Sequence, residues 1–407
     1  MPVTRYGRSP WMDALPKSQR PTFPRFRGDL AVPVVVIGGG LTGCATAWGL
    51  AAAGVGVVLV EAERLAVEAT GHGSGLMRAD AASSYLAFEK AHGRRAARAV
   101  FASTATAAKE LAATAKRLGI KPPVALHDAL LTARGRDEEK TLRREMAARE
   151  TAGLGTPWLK PSMVRRETGL ETAGALRVGD WAHADPFRLA LGFAAAAAKR
   201  KAAIFEGSPV RKLRVGRDAI TLTLPGGTIT ADTVIVCTGA PTELHRPLQR
   251  HFKVDERYIV VTEPVPAGMR RAFGRRSGVL VDGGAPPLAL WWTKDDRLAI
   301  AGADQPRTPE KGRDKVWVQR TGQLMYDVLR MYPAISGLHP AFGWDSPVTR
   351  SADDVMVVGA HRNFPRQLFA WGGDHDPAHA YLASRILVRQ VRGEAGTADR
   401  FFSFTRG

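Results

Sequence analysis

Only two of the 407 residues are cysteine, Cys44 and Cys237, too few for a disulfide framework. Both are expected to be small buried fillers rather than nucleophiles, in a protein of the reducing cytoplasm. Long apolar runs are also missing. No uninterrupted stretch reaches the roughly 20 residues of a membrane-spanning helix, and the apolar segment 31–60 is broken by glycines. The opening MPVTRYGRSPWMDALPKSQRP lacks the apolar core of a signal peptide. Acids are scarce beside bases, 39 against 58, which leaves a formal charge of +19. The bases are spread along the chain in short clusters such as Arg143-Arg144 and Arg165-Arg166, with no nucleic-acid motif among them. The charge therefore reads as a cationic, solvated surface that helps attract an anionic ligand, and no nucleic-acid partner is expected.

What the chain has is ordinary globular composition, 45% hydrophobic and 24% charged, in a length that exceeds one hydrophobic core. Its most informative stretch is 32–61, VPVVVIGGGLTGCATAWGLAAAGVGVVLVE. Val34 to Ile37 is apolar on both faces, as a buried parallel strand requires. Gly38, Gly40 and Gly43 then supply the spacing of a tight turn, a close approach to pyrophosphate, and a helix packed close to the strand. The helix from Leu41 to Ala53 would carry its positive N-terminal dipole toward a phosphate, with Thr42 in its first turn. A second strand, Val55 to Val60, ends at Glu61, whose carboxylate suits a ribose 2′-hydroxyl and disfavours a 2′-phosphate. This βαβ unit predicts adenine-dinucleotide binding. It does not separate FAD from NAD.

Beyond Glu61 and Ala62, the loop Ala69-Thr70-Gly71-His72-Gly73-Ser74-Gly75 is dense in small residues that allow a bulky planar group to lie against it. Here the sequence resembles the D-amino-acid oxidase family of FAD-dependent amine oxidoreductases, from about Arg27 to Arg392. Later markers are Gly207-Ser208-Pro209-Val210, the strand ending Cys237-Thr238-Gly239-Ala240, and the turn Trp371-Gly372-Gly373-Asp374-His375 before a helix. The resemblance implies an α/β fold: a Rossmann-like FAD-binding domain with a second, mainly antiparallel sheet-based substrate domain. It implies FAD as cofactor, with Val210, Thr238, Gly239, Gly372, Gly373, Asp374 and His375 joining the residues above at the dinucleotide. Some relatives attach FAD through a histidine at the position of His72; a non-covalent loop histidine is the expectation here.

The chain is expected to divide into an N-terminal arm (1–30), a discontinuous FAD-binding domain (31–120, 185–240 and 345–407) and a substrate domain (121–184 and 241–344). Residues 85–118 read as one or two amphipathic helices, 137–151 as a charged helix, and Asp185-Pro186 as the start of another. Leu213 to Val236 reads as a meander turning at Pro225-Gly226-Gly227.

The family's carboxylate-binding arginine position falls on Ser346 in Gly343-Trp344-Asp345-Ser346-Pro347, which puts a simple α-amino acid substrate in doubt. Arg350, Arg257 and Tyr258 are the replacement candidates. Adjacent strand residues Trp291 and Trp292 point to opposite faces, so one of them, Trp291, is a candidate pocket wall. His375 would present backbone amides to the flavin edge at a helix N-terminus, and Asp374 or Asp376 would cap that helix. Asp374, His375, Asp376 and His379 could also be read as metal ligands, but no metal is expected. The strand Leu298-Ala299-Ile300-Ala301-Gly302 lacks the lysine that helps some relatives activate oxygen, leaving O2 or a quinone or protein acceptor open. The expected reaction is hydride transfer from the C–N carbon of a primary or secondary amine, an amino acid derivative among them, to flavin N5. Two alternatives stand beside it: a flavin-binding subunit with lost catalysis, and a flavoenzyme oxidising a C–OH bond. A homo-oligomer is compatible with all three.

Overall fold

The computed structural model describes residues 3–81, 84–275, 278–283 and 287–406. Two sheets organise them. The first is built around Gly28–Ile37, which pairs in parallel with Val57–Val60 on one side and Gly227–Gly239 on the other. Ala203–Phe205 and Phe364–Trp371 extend the parallel array, and Val357–His361 closes one edge antiparallel. Val34, Val36 and Leu59 share one core with residues of the helices Leu41–Ala52, Pro186–Lys199 and Pro377–Val391. Val35, Ile37, Val58 and Val60 pack with the meander strand Ile220–Leu224 on the other face. A strand covered on both faces must be apolar at every position, which is why VVVI and VVLV do not alternate.

The second sheet is mainly antiparallel, as the resemblance implies. Its middle runs Pro340–Arg350, Lys253–Pro264, Arg297–Pro306, Leu288–Trp292, Val279–Asp282, His127–Ala133 and Gly174–His183. Parallel pairing occurs between Val279–Asp282 and His127–Ala133 and at the Arg5–Tyr6 edge. Pro340–Arg350 is one continuous strand, so the expected division at 344/345 passes through its middle and Arg350 belongs to this sheet. Strand alternation sorts its residues. Ile259, Val261, Trp291 and Ala299 join the core shared with the first sheet, whereas Tyr258, Val260, Leu290 and Ile300 face a separate core under the helix Arg313–Met331.

The helices match the sequence reading at Tyr85–Arg117, Arg136–Thr151 and Pro186–Lys199, the first broken at Gly93 and the last capped by Asp185. The arm carries a short strand, Arg5–Tyr6, and a helical turn, Pro10–Asp13, which its irregular sequence did not announce. Among the described residues, no helix is long and apolar enough to cross a membrane.

His183, at the end of its strand, lies with its ring 5.7 Å from that of His127. Burial first, then the charges of His127 and Lys294, lower its pKa from 6.5 to about 4. Between those values the unfolded chain binds the proton more readily, so stability present above pH 6.5 is lost as pH falls toward 4. On going from about pH 7.5 to about pH 5, the wild type should lose roughly 2 kcal/mol more than His183→Gln. Urea unfolding at the two pH values measures the difference; equal losses would place the acid sensitivity elsewhere.

Candidate active site

The glycine turn is as tight as its spacing implies. Gly38 has φ +105°, and a Cβ there would lie 2.5 Å from the Cys237 carbonyl oxygen. A Cβ on Gly43 would lie 1.9 Å from the Gly38 oxygen, so any side chain would push the helix off the strand. Against this turn runs a groove of about 250 Å³. Gly38, Gly40, Leu41 and Thr42 line it together with Glu61, Ala62, Thr70 and Val210. Thr238, Gly239 and His375 line it as well. Leu41, Thr42, Gly239 and His375 also line a small adjoining pocket under Gly372 and Gly373. The two cysteines are buried beside the groove, and burial pushes both thiols up, Cys237 to about 12.

Two side chains do more here than the sequence suggested. The Glu61 carboxylate accepts from the Gly39 amide at 2.6 Å and the Glu63 amide at 2.9 Å, so it also shapes the turn. Burial raises its pKa, and those amide bonds oppose the rise. Thr70 Oγ1 accepts from the Leu41 amide at 3.0 Å, directly at the helix N-terminus where a phosphate would sit.

A second cavity, of about 710 Å³, is lined by Asp374, the residue before His375 in the chain. Its apolar walls include Leu76, Leu131, Trp181, Val281 and Leu288, and its polar end holds Arg78, Arg257, Asp304, Arg350 and Asp374. Asp374 Oδ2 accepts from Arg257 at 2.7 Å and Arg78 at 2.9 Å. Asp304 takes Arg257 in a bidentate pair at 2.8 and 2.7 Å and Arg350 at 2.5 Å. Burial alone would raise the Asp374 carboxyl; the guanidinium charges of Arg257, Arg78 and Arg350 overcome it and hold the group well below the usual carboxylate range. Burial opposes the charge of Arg257 as well, but Asp374 and Asp304 push its pKa up. His375 is shifted down by burial, against the charge of Asp374.

A sequence model described as DAO, FAD dependent oxidoreductase, matches residues 33–387. The chain belongs to this family of FAD-dependent oxidoreductases. It is 24% identical over 389 residues to the gamma-glutamylputrescine oxidoreductase of Escherichia coli K12, covering 93% of this chain and 88% of that one. Among solved structures it is similar to the glycine oxidase of Geobacillus kaustophilus, with TM-score 0.74, 20% identity, and 93% and 99% of the two chains covered. The L-amino acid deaminase of Proteus vulgaris superposes with TM-score 0.78 at 12% identity, over 95% of this chain and all of that one (100%). FAD, the family's cofactor, fits the cradle: a backbone turn no side chain can enter, a helix N-terminus, and a carboxylate at the end of the second strand.

Not every candidate reaches the cavities. Tyr258 points to the opposite sheet face, where its hydroxyl donates to Glu256 at 3.1 Å and accepts from Gln305 at 2.9 Å. Burial pushes its pKa up to about 12. Trp291 shares the face of Ala289, which lines the large cavity, but its ring is buried in the core, 1% exposed; Trp292 lies on the far face, edge-on to Phe273 at 5.1 Å. Ser74 lines the large cavity rather than the groove. Gly71, His72 and Gly73 are not among the groove's lining residues, and the His72 oxygen accepts from Trp344 Nε1 at 2.8 Å. Asp376 caps its helix through the Ala378 amide at 2.8 Å and binds Arg78. Both ring nitrogens of His379 meet carbonyl oxygens, Gly373 at 2.8 Å and Asp80 at 2.9 Å, so a metal there would have to displace backbone. Among the described residues, no group of three or more His, Cys, Asp or Glu is placed to hold a metal. Arg78 and Asp304 were not singled out from sequence; the one signal was a charge directly after a short apolar run, Leu76-Met77 and Leu298 to Ala303.

Glu61→Gln keeps the size and removes the charge, at a cost of roughly 1.5–3 kcal/mol for a hydrogen bond to a charged group. FAD titration of the apoprotein should show affinity lower by about one to two orders of magnitude. Unchanged affinity would mean that the carboxylate does not serve the cofactor.

Proposed function

We propose that this protein oxidises the C–N bond of a primary or secondary amine, an amino acid derivative, with FAD as the immediate acceptor. The observation that carries the reading is that two consecutive residues line the two cavities, His375 the groove and Asp374 the large cavity. FAD, when bound, supplies a two-electron sink for a hydride equivalent leaving the substrate carbon. The chain's own residues position, neutralise and keep dry. Leu76, Leu131, Val281 and Leu288 exclude water, which strengthens every charge interaction at the polar end.

At that end each arginine already has a carboxylate partner. A substrate carboxylate would therefore have to exchange with Asp304, whose side chain is 28% exposed against 3% for Asp374. Asp304 is the replaceable counter-ion and Asp374 the fixed one. Arg350 and Arg257 are thus the anion receivers in place of the arginine that Ser346 does not supply. The names of the relatives, a putrescine-derivative oxidoreductase, a glycine oxidase and an amino acid deaminase, support an amine or amino acid derivative here. The cavity's size suits a guest larger than glycine. Either O2 or a quinone or protein accepts the electrons afterwards. The two unpaired thiols suit the cytoplasm.

An anaerobic screen tests the reading. Amines bearing a carboxylate should bleach the bound flavin, and their hydroxy analogues should not; bleaching by the hydroxy compounds alone would contradict it. Arg350→Met should slow reduction by the acid about tenfold to a hundredfold, the worth of a charge-assisted bond, and leave the neutral amide little changed.

A further inference from the structure

The family match begins at residue 33, yet the chain ahead of it is firmly attached. Its first strand lies parallel to the edge of the second sheet, Arg5 opposite Phe342 and Tyr6 opposite Gly343, and Thr4 Oγ1 donates to the Pro340 oxygen at 2.9 Å. The arm then crosses behind the loop 69–75. Ser9, fully buried, donates its hydroxyl to the Gly71 oxygen, and Trp11 Nε1 donates to the Gly73 oxygen at 2.9 Å. The His72 oxygen between them is held by Trp344 of the second sheet. Three consecutive carbonyls of one loop are therefore fixed by side chains from outside it.

The packing is equally close. A Cβ built on Gly71 would lie 3.1 Å from Met12 Sδ, and one on Gly75 would lie 3.1 Å from the Trp11 ring. Farther on, the Phe23 amide donates to Glu206 at 3.1 Å and the Phe26 amide to Ser208 Oγ at 2.9 Å. Those two partners bind the segment that follows the second strand: Glu206 accepts from the Leu65 amide at 2.8 Å, and the amide of Ser208, itself on the groove lining, donates to the Glu61 backbone oxygen at 2.8 Å.

We infer that the arm is a strap for cofactor retention, with Ser9 and Trp11 as positioning residues that act through the loop carrying Thr70. Thr70 is the point of action, because its hydroxyl meets the Leu41 amide at the phosphate-binding end of the helix. Without the strap the loop samples positions in which Thr70 and its neighbours no longer close the groove. FAD must then order the loop itself, at the expense of affinity. The inference rests on FAD being the bound dinucleotide.

The test uses the full-length apoprotein carrying Ser9→Ala with Trp11→Phe, titrated with FAD by quenching of flavin fluorescence. Each lost hydrogen bond should weaken binding about fivefold, so the double variant should bind roughly twenty-fivefold more weakly and release FAD faster, with the apoprotein still folded. Trp11→Phe alone keeps an aromatic side chain, removes the Nε1 donor and should still give about fivefold. A dissociation constant within twofold of wild type, whatever the apoprotein's melting temperature, would overturn the strap and leave the arm a packing element. A wild-type chain that takes up no FAD would overturn both the strap and the cofactor reading.

Discussion

The Asp374 carboxylate is the joint on which the two halves of the site depend. It sits in the turn between the first sheet's last strand and the helix Pro377–Val391, and it binds Arg257 from the second sheet and Arg78 from the segment that follows the flavin loop. Three parts of the chain that are far apart in sequence meet on one buried oxygen. A buried carboxylate costs several kcal/mol of desolvation unless its partners compensate, and two guanidinium groups within 2.9 Å do so. Removing it would leave two cations facing an apolar wall with one counter-ion fewer.

From that joint the division of labour follows. His375, the next residue, lies on the cofactor groove, and Asp374 lies on the large cavity, so fixing one backbone turn fixes the distance between them. Strand alternation does the rest. Arg257 faces the joint because Ile259 and Val261 face the shared core, and Tyr258 is thereby sent to the opposite side. Asp304 joins Arg257 to Arg350 on the neighbouring strand, which makes this end of the cavity one electrostatic unit rather than a set of independent arginines.

The βαβ unit was legible in the sequence because its constraints are local and steric: Gly38 and Gly43 are required by contacts of 2.5 and 1.9 Å that any Cβ would make. The helix begun by Asp185-Pro186 was legible for a similar reason, a cap and a fixed φ in adjacent residues. Choosing between Arg257 and Tyr258 was not possible, since the two faces of that strand are told apart only by its register with Pro340–Arg350. Asp304 stayed hidden because an ion pair between residues 47 positions apart leaves no periodic trace. The arm was legible as a segment apart from the two domains, but its attachment depends on loop carbonyls at Gly71 and Gly73, and backbone acceptors have no sequence signature.

The central claim is that one carboxylate aligns the cofactor groove with the substrate cavity. The most direct measurement is the anaerobic rate of flavin reduction in FAD-loaded Asp374→Asn, with the best amine found for the wild type. A displacement of about 1 Å between reacting partners can cost on the order of a hundredfold, so the account predicts a loss of that size with FAD still bound. A rate within twofold of wild type would contradict it, and would show that groove and cavity keep their alignment without the charge.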